Sequence, residues 1–261
     1  MTTPRRRLGR LAERVLPAAG IAIFILAWEA FVDVRGIAPV YLPSPLAIAR
    51  ALVEMAADGT LLHHLGATLA RILAGFLLAA ATGIATGLLM GMSRLFRRIA
   101  DPWIAGLYPL PKISLIPLLI VWLGTGEAYK IVISAVTAFF PIVMSTYAGV
   151  RQVDRGLVKA AEDLGANRRQ IQIAVVLPAA VPTIFAGLQL GMGVTIILVV
   201  AAEMIGGSGN GGMGNLLIEA GQVLETERVF AALVVLTVMG AIIMKGQQWL
   251  DRRLAPWVEP E

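Results

Sequence analysis

The sequence predicts an all-α integral membrane protein with about six transmembrane helices, and three observations carry that reading. The mean hydropathy is +0.78 with only 15% charged residues, where a soluble domain carries about a quarter. Six apolar stretches are each long enough to cross a hydrocarbon core about 30 Å thick, which takes about 20 helical residues. The basic residues gather in alternate connections, the pattern that sets membrane orientation.

The expected spans are Leu16–Val34, Leu69–Met90, Trp103–Leu123, Ile131–Val150, Val181–Met204 and Val229–Trp249. Each must be helical, because an isolated span satisfies its own backbone hydrogen bonds only as a helix. The charges between them follow one rule. Arg5, Arg6, Arg7, Arg10 and Arg14 precede the first span, and Arg94, Arg97 and Arg98 join the second to the third. Arg151, Arg155, Lys159, Arg168 and Arg169 join the fourth to the fifth, and Lys245, Arg252 and Arg253 close the chain. The opposite connections hold only Arg35, Arg50, Lys130 and Arg228. Both termini are therefore expected on the cytoplasmic side, with the net charge of +5 read as topology and not as a nucleic-acid surface. Residues 1–15 form a basic cytoplasmic segment, 16–250 a single transmembrane domain with a cytoplasmic loop at 151–180, and 251–261 a cytoplasmic tail. The first span is expected to remain uncleaved, since Trp28 and Glu29 follow its apolar run and no small-x-small site precedes Gly36.

Outside the spans, "YLPSP" (Tyr41–Pro45) must be extended or turning. "LAIARALVEMAA", which follows it, has the spacing of an amphipathic helix lying along the membrane surface. "GGSGNGGMGN" (Gly206–Asn215) reads as an outer, glycine-dense loop.

Several chemistries are excluded. There are no cysteines, hence no thiolate or disulfide chemistry. His63 and His64 are adjacent and lack the i, i+4 spacing of a helical metal site, so no metal is expected. "GGSG" (Gly206–Gly209) has the outline of a serine-protease motif, but no histidine follows to serve as base. No Gly-Lys-Ser/Thr follows the glycines, so the chain holds no phosphate loop and binds no ATP by that route. No acid, base and nucleophile converge, and an enzyme is not expected.

Ionisable groups inside spans cost about 2.5–3.5 kcal/mol on insertion scales and need a partner, water or an interface. Glu29, Glu203 and Arg71 lie toward outer span ends, as interfacial or interhelical charges. Lys112 is deeper, where Pro109, Pro111 and Pro117 interrupt the helix and free backbone carbonyls, so it is expected to face a cavity or to satisfy those carbonyls. Arg71, Lys112 and Glu203 are the candidates for a transport pathway. Gly83, Gly87 and Gly91 fall on one helix face at four-residue spacing and permit close helix packing, within the chain or between chains.

The long cytoplasmic loop contains "KAAEDLGANRRQIQIAVVLPAAVP" (Lys159–Pro182). Leu157, Ala161 and Leu164 share a helix face, with Glu162, Asp163, Arg168 and Arg169 around it. Ala160, Ala161 and Gly165 leave one side small, a shape suited to docking in another surface. Pro178 and Pro182 are expected to stop one helix and start the next span.

The order Ala160-Ala161, three residues, Gly165, nine residues, Val175-x-Leu177-Pro178 resembles the EAA loop of ABC importer permeases. That loop reads Glu-Ala-Ala, three residues, Gly, nine residues, Ile-x-Leu-Pro. Lys159 stands where the family often has glutamate, so a salt bridge from that position is in question, with Glu162 and Asp163 a turn away. "YLPSP", "YPLPKISLIPLLIVWLGTGEAYKI" (Tyr108–Ile131), "FFPI" (Phe139–Ile142) and "AAEMI" (Ala201–Ile205) are similar to the branch that serves nitrate, alkanesulfonate, taurine and bicarbonate importers. The resemblance covers roughly residues 40–250. It implies a type I ABC importer permease fold and a bacterial inner-membrane location. It also implies a second permease copy around a central path and an extracytoplasmic binding protein at the outer loops Gly36–His64 and Gly206–Glu227. A cytoplasmic ATPase pair would bind ATP and receive Lys159, Ala160, Ala161, Glu162, Asp163, Leu164, Gly165, Leu177 and Pro178. The implied cargo is a small, anionic solute such as a sulfonate, taurine or nitrate. A stand-alone ion-coupled carrier is the alternative. It would call for midplane coupling residues and an internal repeat, neither evident in the sequence.

Overall fold

The structure is a computed structural model that describes residues 5–206 and 211–255; the side chains of residues 5–15, 17 and 18 are also outside the description. The N-terminal arginine side chains, most of the Gly206–Gly209 motif and the end of the tail therefore lie beyond the described residues. Among those described, every regular element is helical. In chain order they are α1 (Arg5–Arg35), α2 (Pro45–Ala57), α3 (Thr60–Met92), α4 (Arg94–Leu107), a 3₁₀ turn (Lys112–Leu115), α5 (Ile116–Leu123) and α6 (Glu127–Gln152). Then come α7 (Arg155–Asp163), α8 (Arg168–Ile171), a π turn (Gln172–Val176), α9 (Leu177–Ile205), α10 (Met213–Gln222) and α11 (Thr226–Leu254). The chain divides into two compact units, one of Met1–Leu62 with Leu216–Val235 and one of His63–Asn215 with Leu236–Glu261.

In the first unit, the "YLPSP" turn ends in Ser44, whose extended backbone and side chain cap α2, with Pro45 at the first helical position. Glu29 of α1 accepts a second of the free α2 amides, Leu46 N–H, at 2.9 Å. Ile48, Ala51 and Met55 form the buried face of α2. Trp28 packs between Phe24 and Phe230, while Ile21, Ile23, Phe24 and Leu26 stay exposed, as lipid contact allows. The expected first span lies in α1.

The second unit is built around α6. A Cβ added at Gly75 would meet Ser134; one at Gly83 would meet Ile142, one at Gly87 Thr146, and one at Gly91 Val150. The offset between the two helices is constant, so α3 and α6 run parallel in close contact. The glycine face expected at Gly83, Gly87 and Gly91 thus packs inside the chain and extends to Gly75. On another side of α6, Gly149 faces Thr183, Gly187 faces Ser145, and Gly191 faces Ile142, which makes α9 antiparallel to it. Without a hydrophobic drive between helices in lipid, small residues that admit backbone approach supply the packing. Ile72, Met192, Val199 and Met239 then join α3, α9 and α11, and Ile116, Tyr129, Ile133 and Ala202 join α5, α6 and α9.

Parallel α3 and α6 impose a condition on the chain between them. Glu127 sits level with Arg71, yet α3 continues from Arg71 to Met92, about 30 Å at 1.5 Å per residue. Residues 93–126 must return that distance. They do so as a bent pair, α4 and Lys112–Leu123, at 90°. The third span expected at Trp103–Leu123, with its helix interrupted by prolines, is a broken one; the break falls at Pro109 and Pro111, while Pro117 sits in the first turn of α5. Pro109 and Pro111 contribute no N–H at the break and disfavour helix in the residues before them. Among the described residues, four helices are long and apolar enough to span, and the bent pair raises the number to five.

The loop at 151–180 also differs from expectation. Pro178 and Pro182 do not separate two helices; one apolar helical segment runs from Arg168 to Ile205. The π turn widens the backbone just ahead of Pro178, with Leu177 N–H bonding back to Gln172 O, a wider pairing that accommodates a helical residue lacking its donor.

At the α3–α6 seam, a Cβ at Gly87 would lie 2.5 Å from Thr146 Cβ and 2.8 Å from Val143 O. Gly87→Leu is expected to cost about 1–3 kcal/mol by overpacking and to lower the thermal midpoint in detergent. Gly106→Ala, where no atom lies within 4 Å, should leave it unchanged.

Candidate functional site

Two assemblies of polar residues stand out in the second unit, one at each end of α6. At the Glu127 end, Arg71 is buried (2% exposed) and holds two carboxylates. Its Nη1 donates to Glu203 Oε1 at 2.6 Å, and its Nε and Nη2 donate to the two Glu127 oxygens at 2.5 and 2.6 Å. Glu203 is fully buried. It also accepts from Thr68 Oγ1 at 2.9 Å and from Gly214 N at 2.9 Å. Thr68 in turn accepts from Met213 N at 2.8 Å, and Arg71 Nη1 donates to Gly211 O at 2.9 Å. Lys130 Nζ, also buried, stands 3.9 Å from Glu127. One guanidinium therefore ties α3, α6, α9 and the segment before α10 together, with the remaining lone pairs of the buried Glu203 met by a hydroxyl and an amide, while Glu127 is half exposed. That is the condition under which a buried ion pair is tolerated.

Gly212 has φ +118, and a Cβ there would fall 2.4 Å from Arg71 Nη1; a Cβ at Gly214 would fall 2.4 Å from Val200 O. These glycines, expected only as an outer loop, let the backbone close over the charges. His64 meets Gly212 through Nδ1 at 2.8 Å from its carbonyl oxygen, and among the described residues no cluster of metal-ligand type includes either histidine.

The sequence reading singled out Arg71 and Glu203, and the structure places them in one interhelical pair. It missed Glu127, taken as part of a connection, together with Thr68 and Lys130. The available signal was that two charges in spans each demand a partner. Lys112 lies apart from this cluster, its Nζ 4.6 Å from the Phe140 ring centre and 5.1 Å from that of Tyr108.

At the other end of α6, the chain turns into α7, whose start is capped by Asp154 accepting from Gly156 N at 2.7 Å. Its end is a Schellman turn: Gly165 N bonds Glu162 O at 2.9 Å and Ala166 N bonds Ala161 O at 3.0 Å, with Gly165 at φ +84. Asn167 and Gln170 then form a reciprocal capping box for α8. Between these caps, α7 projects Leu157, Lys159, Ala160, Glu162, Asp163 and Leu164 outward, and Leu164 is 89% exposed. Ala161 is half-buried and Gly165 open. The requirement at Gly165 is its left-handed backbone, a reason that the small-face reading did not contain. Beneath α7 lies a cavity of about 520 Å³ whose walls include Gly91, Val150, Arg155, Val158, Glu162 and Arg168. Arg168 reaches from it to Met92 O at 3.1 Å. Leu177 and Pro178 begin α9, behind the π turn.

Long apolar helices, a broken span and an exposed, doubly capped helix at the basic end define a membrane transport subunit. Residues 80–256 match the binding-protein-dependent transport system inner membrane component family, and the chain belongs to that family as an ABC importer permease. It is 36% identical to the taurine transport system permease protein TauC of Escherichia coli (strain K12), over 91% of this chain and 87% of that one. It is 34% identical to the putative aliphatic sulfonates transport permease protein SsuC of Bacillus subtilis (strain 168), over 97% and 90%. Among solved structures, the inward-facing methionine ABC transporter MetNI matches with a TM-score of 0.63 at 23% identity, covering 76% of this chain and 97% of that chain, a likeness of fold. The protein is accordingly a multi-pass inner-membrane permease.

Glu203→Ala is expected to cost about 3–5 kcal/mol, because it strands the buried Arg71, with Glu203→Gln between it and wild type since an acceptor for Thr68 and Gly214 remains. Tryptophan-fluorescence melts in detergent check this; wild-type midpoints for both variants would contradict it.

Proposed function

We propose that this chain is the permease subunit of an ATP-driven importer for small sulfonates, taurine among them. Two copies form the path, an extracytoplasmic protein delivers the solute, and a separate pair of ATPase subunits binds and hydrolyses ATP. The termini and α7 lie on the cytoplasmic side, in keeping with the basic residues gathered at that end. The similarity to permeases named for taurine and aliphatic sulfonates supports the cargo.

The observation that carries the coupling role is the geometry of α7. It is a rigid, exposed helix fixed at both ends by caps, on the residues that resemble the EAA loop. A displacement of α7 passes to α6 through the two residues before Arg155 and to α9 through the continuous helix from Arg168. Lys159, Ala160, Ala161, Glu162, Asp163, Leu164 and Gly165 present the contact surface, and Leu177 and Pro178 hold the junction with α9. Lys159 brings a positive charge to that surface, flanked by Glu162 and Asp163.

Taurine uptake by cells expressing the complete system tests this. Ala160→Trp fills the exposed small position without touching the chain's own packing, and should abolish uptake and ATPase attachment at normal membrane levels of the protein. Gly165→Asn should retain most uptake and Gly165→Val lose it, because asparagine tolerates left-handed backbone and a β-branched residue does not. Normal uptake by Ala160→Trp, or uptake that persists without ATP under an ion gradient, would overturn the proposal in favour of an ion-coupled carrier.

A further inference from the structure

Lys112 is an intramembrane charge that the Arg71 cluster leaves aside, and its depth follows from its neighbours. Its Nζ lies 4.6 Å from the centre of the Phe140 ring. Phe140 is at the middle of the 26-residue α6, about 20 Å from either end. The ammonium is therefore near the centre of the hydrocarbon layer. Its contacts are the faces of Tyr108 and Phe140 and the carbonyl oxygen of Tyr108. Among the described residues, no carboxylate forms an ion pair with it.

The backbone around Lys112 sharpens the point. Residues 108–111 are non-helical, Pro109 and Pro111 have no N–H, and Tyr108, Pro109, Leu110 and Pro111 are all exposed on the chain's surface. Irregular backbone at this depth does not face lipid; it is tolerated where it is covered by protein or lines water. An exposed break carrying an unneutralised ammonium meets the second condition. The aromatic faces hold the cation without cancelling its charge, so a small anion arriving there finds a preformed counter-charge held on aliphatic and aromatic walls.

Resting on the importer reading above, we propose that Lys112 lines the substrate path at the membrane midplane and is the counter-charge for the solute's sulfonate group as it passes. One ammonium held by cation–π contacts suits transit. It attracts the anion without the several convergent donors that would trap it.

The chain contains no cysteine, so Lys112→Cys gives it a single thiol. In membranes carrying the complete transporter, this variant should lose taurine uptake about tenfold or more, the scale of one lost charge-assisted contact. Aminoethyl and sulfonatoethyl methanethiosulfonate should both add to this chain, read by its mass. The aminoethyl adduct, which restores a positive charge, should recover uptake, and the sulfonatoethyl adduct should not. Lys112→Gln should reproduce the loss with ATPase attachment intact. Inertness of the thiol to both charged reagents, with reaction toward a lipid-soluble maleimide, would overturn the proposal, as would wild-type uptake by Lys112→Gln. Labelling requires no transport, so Lys112 is decided separately from the importer reading, which falls instead if the wild-type complex carries no ATPase.

Discussion

In hydrocarbon, no polar group is satisfied by solvent, and this constraint organises the second unit of the protein. Arg71 shows it most directly. A guanidinium inside a span meets both of its carboxylates, one on α6 and one on α9, and the glycine segment closes above it. The ion pairs do not have to be net stabilising to matter. Separating them leaves a buried charge unpaired, so the four elements that meet at Arg71 stay in one arrangement. Close helix approach along α6 answers a second demand of lipid, packing without a hydrophobic drive between helices.

A mechanical reading follows from that arrangement. The seam of small residues fixes α3 and α9 against α6 along most of its length. The Arg71 cluster fixes the same three helices at one end, and α7 interrupts the connection between α6 and α9 at the other. The block is thus held along its length and at one end, and α7 stands out from it, independently capped, at the other. The broken pair α4–α5 lies beside this block, held through Ile116 and its neighbours.

Much of this was legible in the residues. Apolar length and basic connections placed the long helices, because hydropathy and charge are properties of composition within a window. The spacing of Gly83, Gly87 and Gly91 marked a packing face, because α-helical periodicity is local. The interruption at Pro109 and Pro111 was legible, but its 90° angle was not, since prolines disrupt a helix without specifying the angle at which it resumes. Glu127 was hidden because by sequence it lies in a connection between spans, and it is a partner of Arg71 only through the parallel register of α3 and α6. Gly165 was recognised for its size, whereas its left-handed backbone is required by a turn whose two hydrogen bonds are visible only in three dimensions. Gly212 and Gly214 were likewise read as loop because the surface they cover is contributed by distant residues.

The measurement that bears most directly on the account is purification of the tagged chain from its native membranes in mild detergent, with native mass spectrometry of the assembly. Two copies of this chain with two copies of an ATPase are expected, with loss of the ATPase when α7 alone is altered. A chain recovered by itself in good yield, folded and with α7 intact, would contradict it.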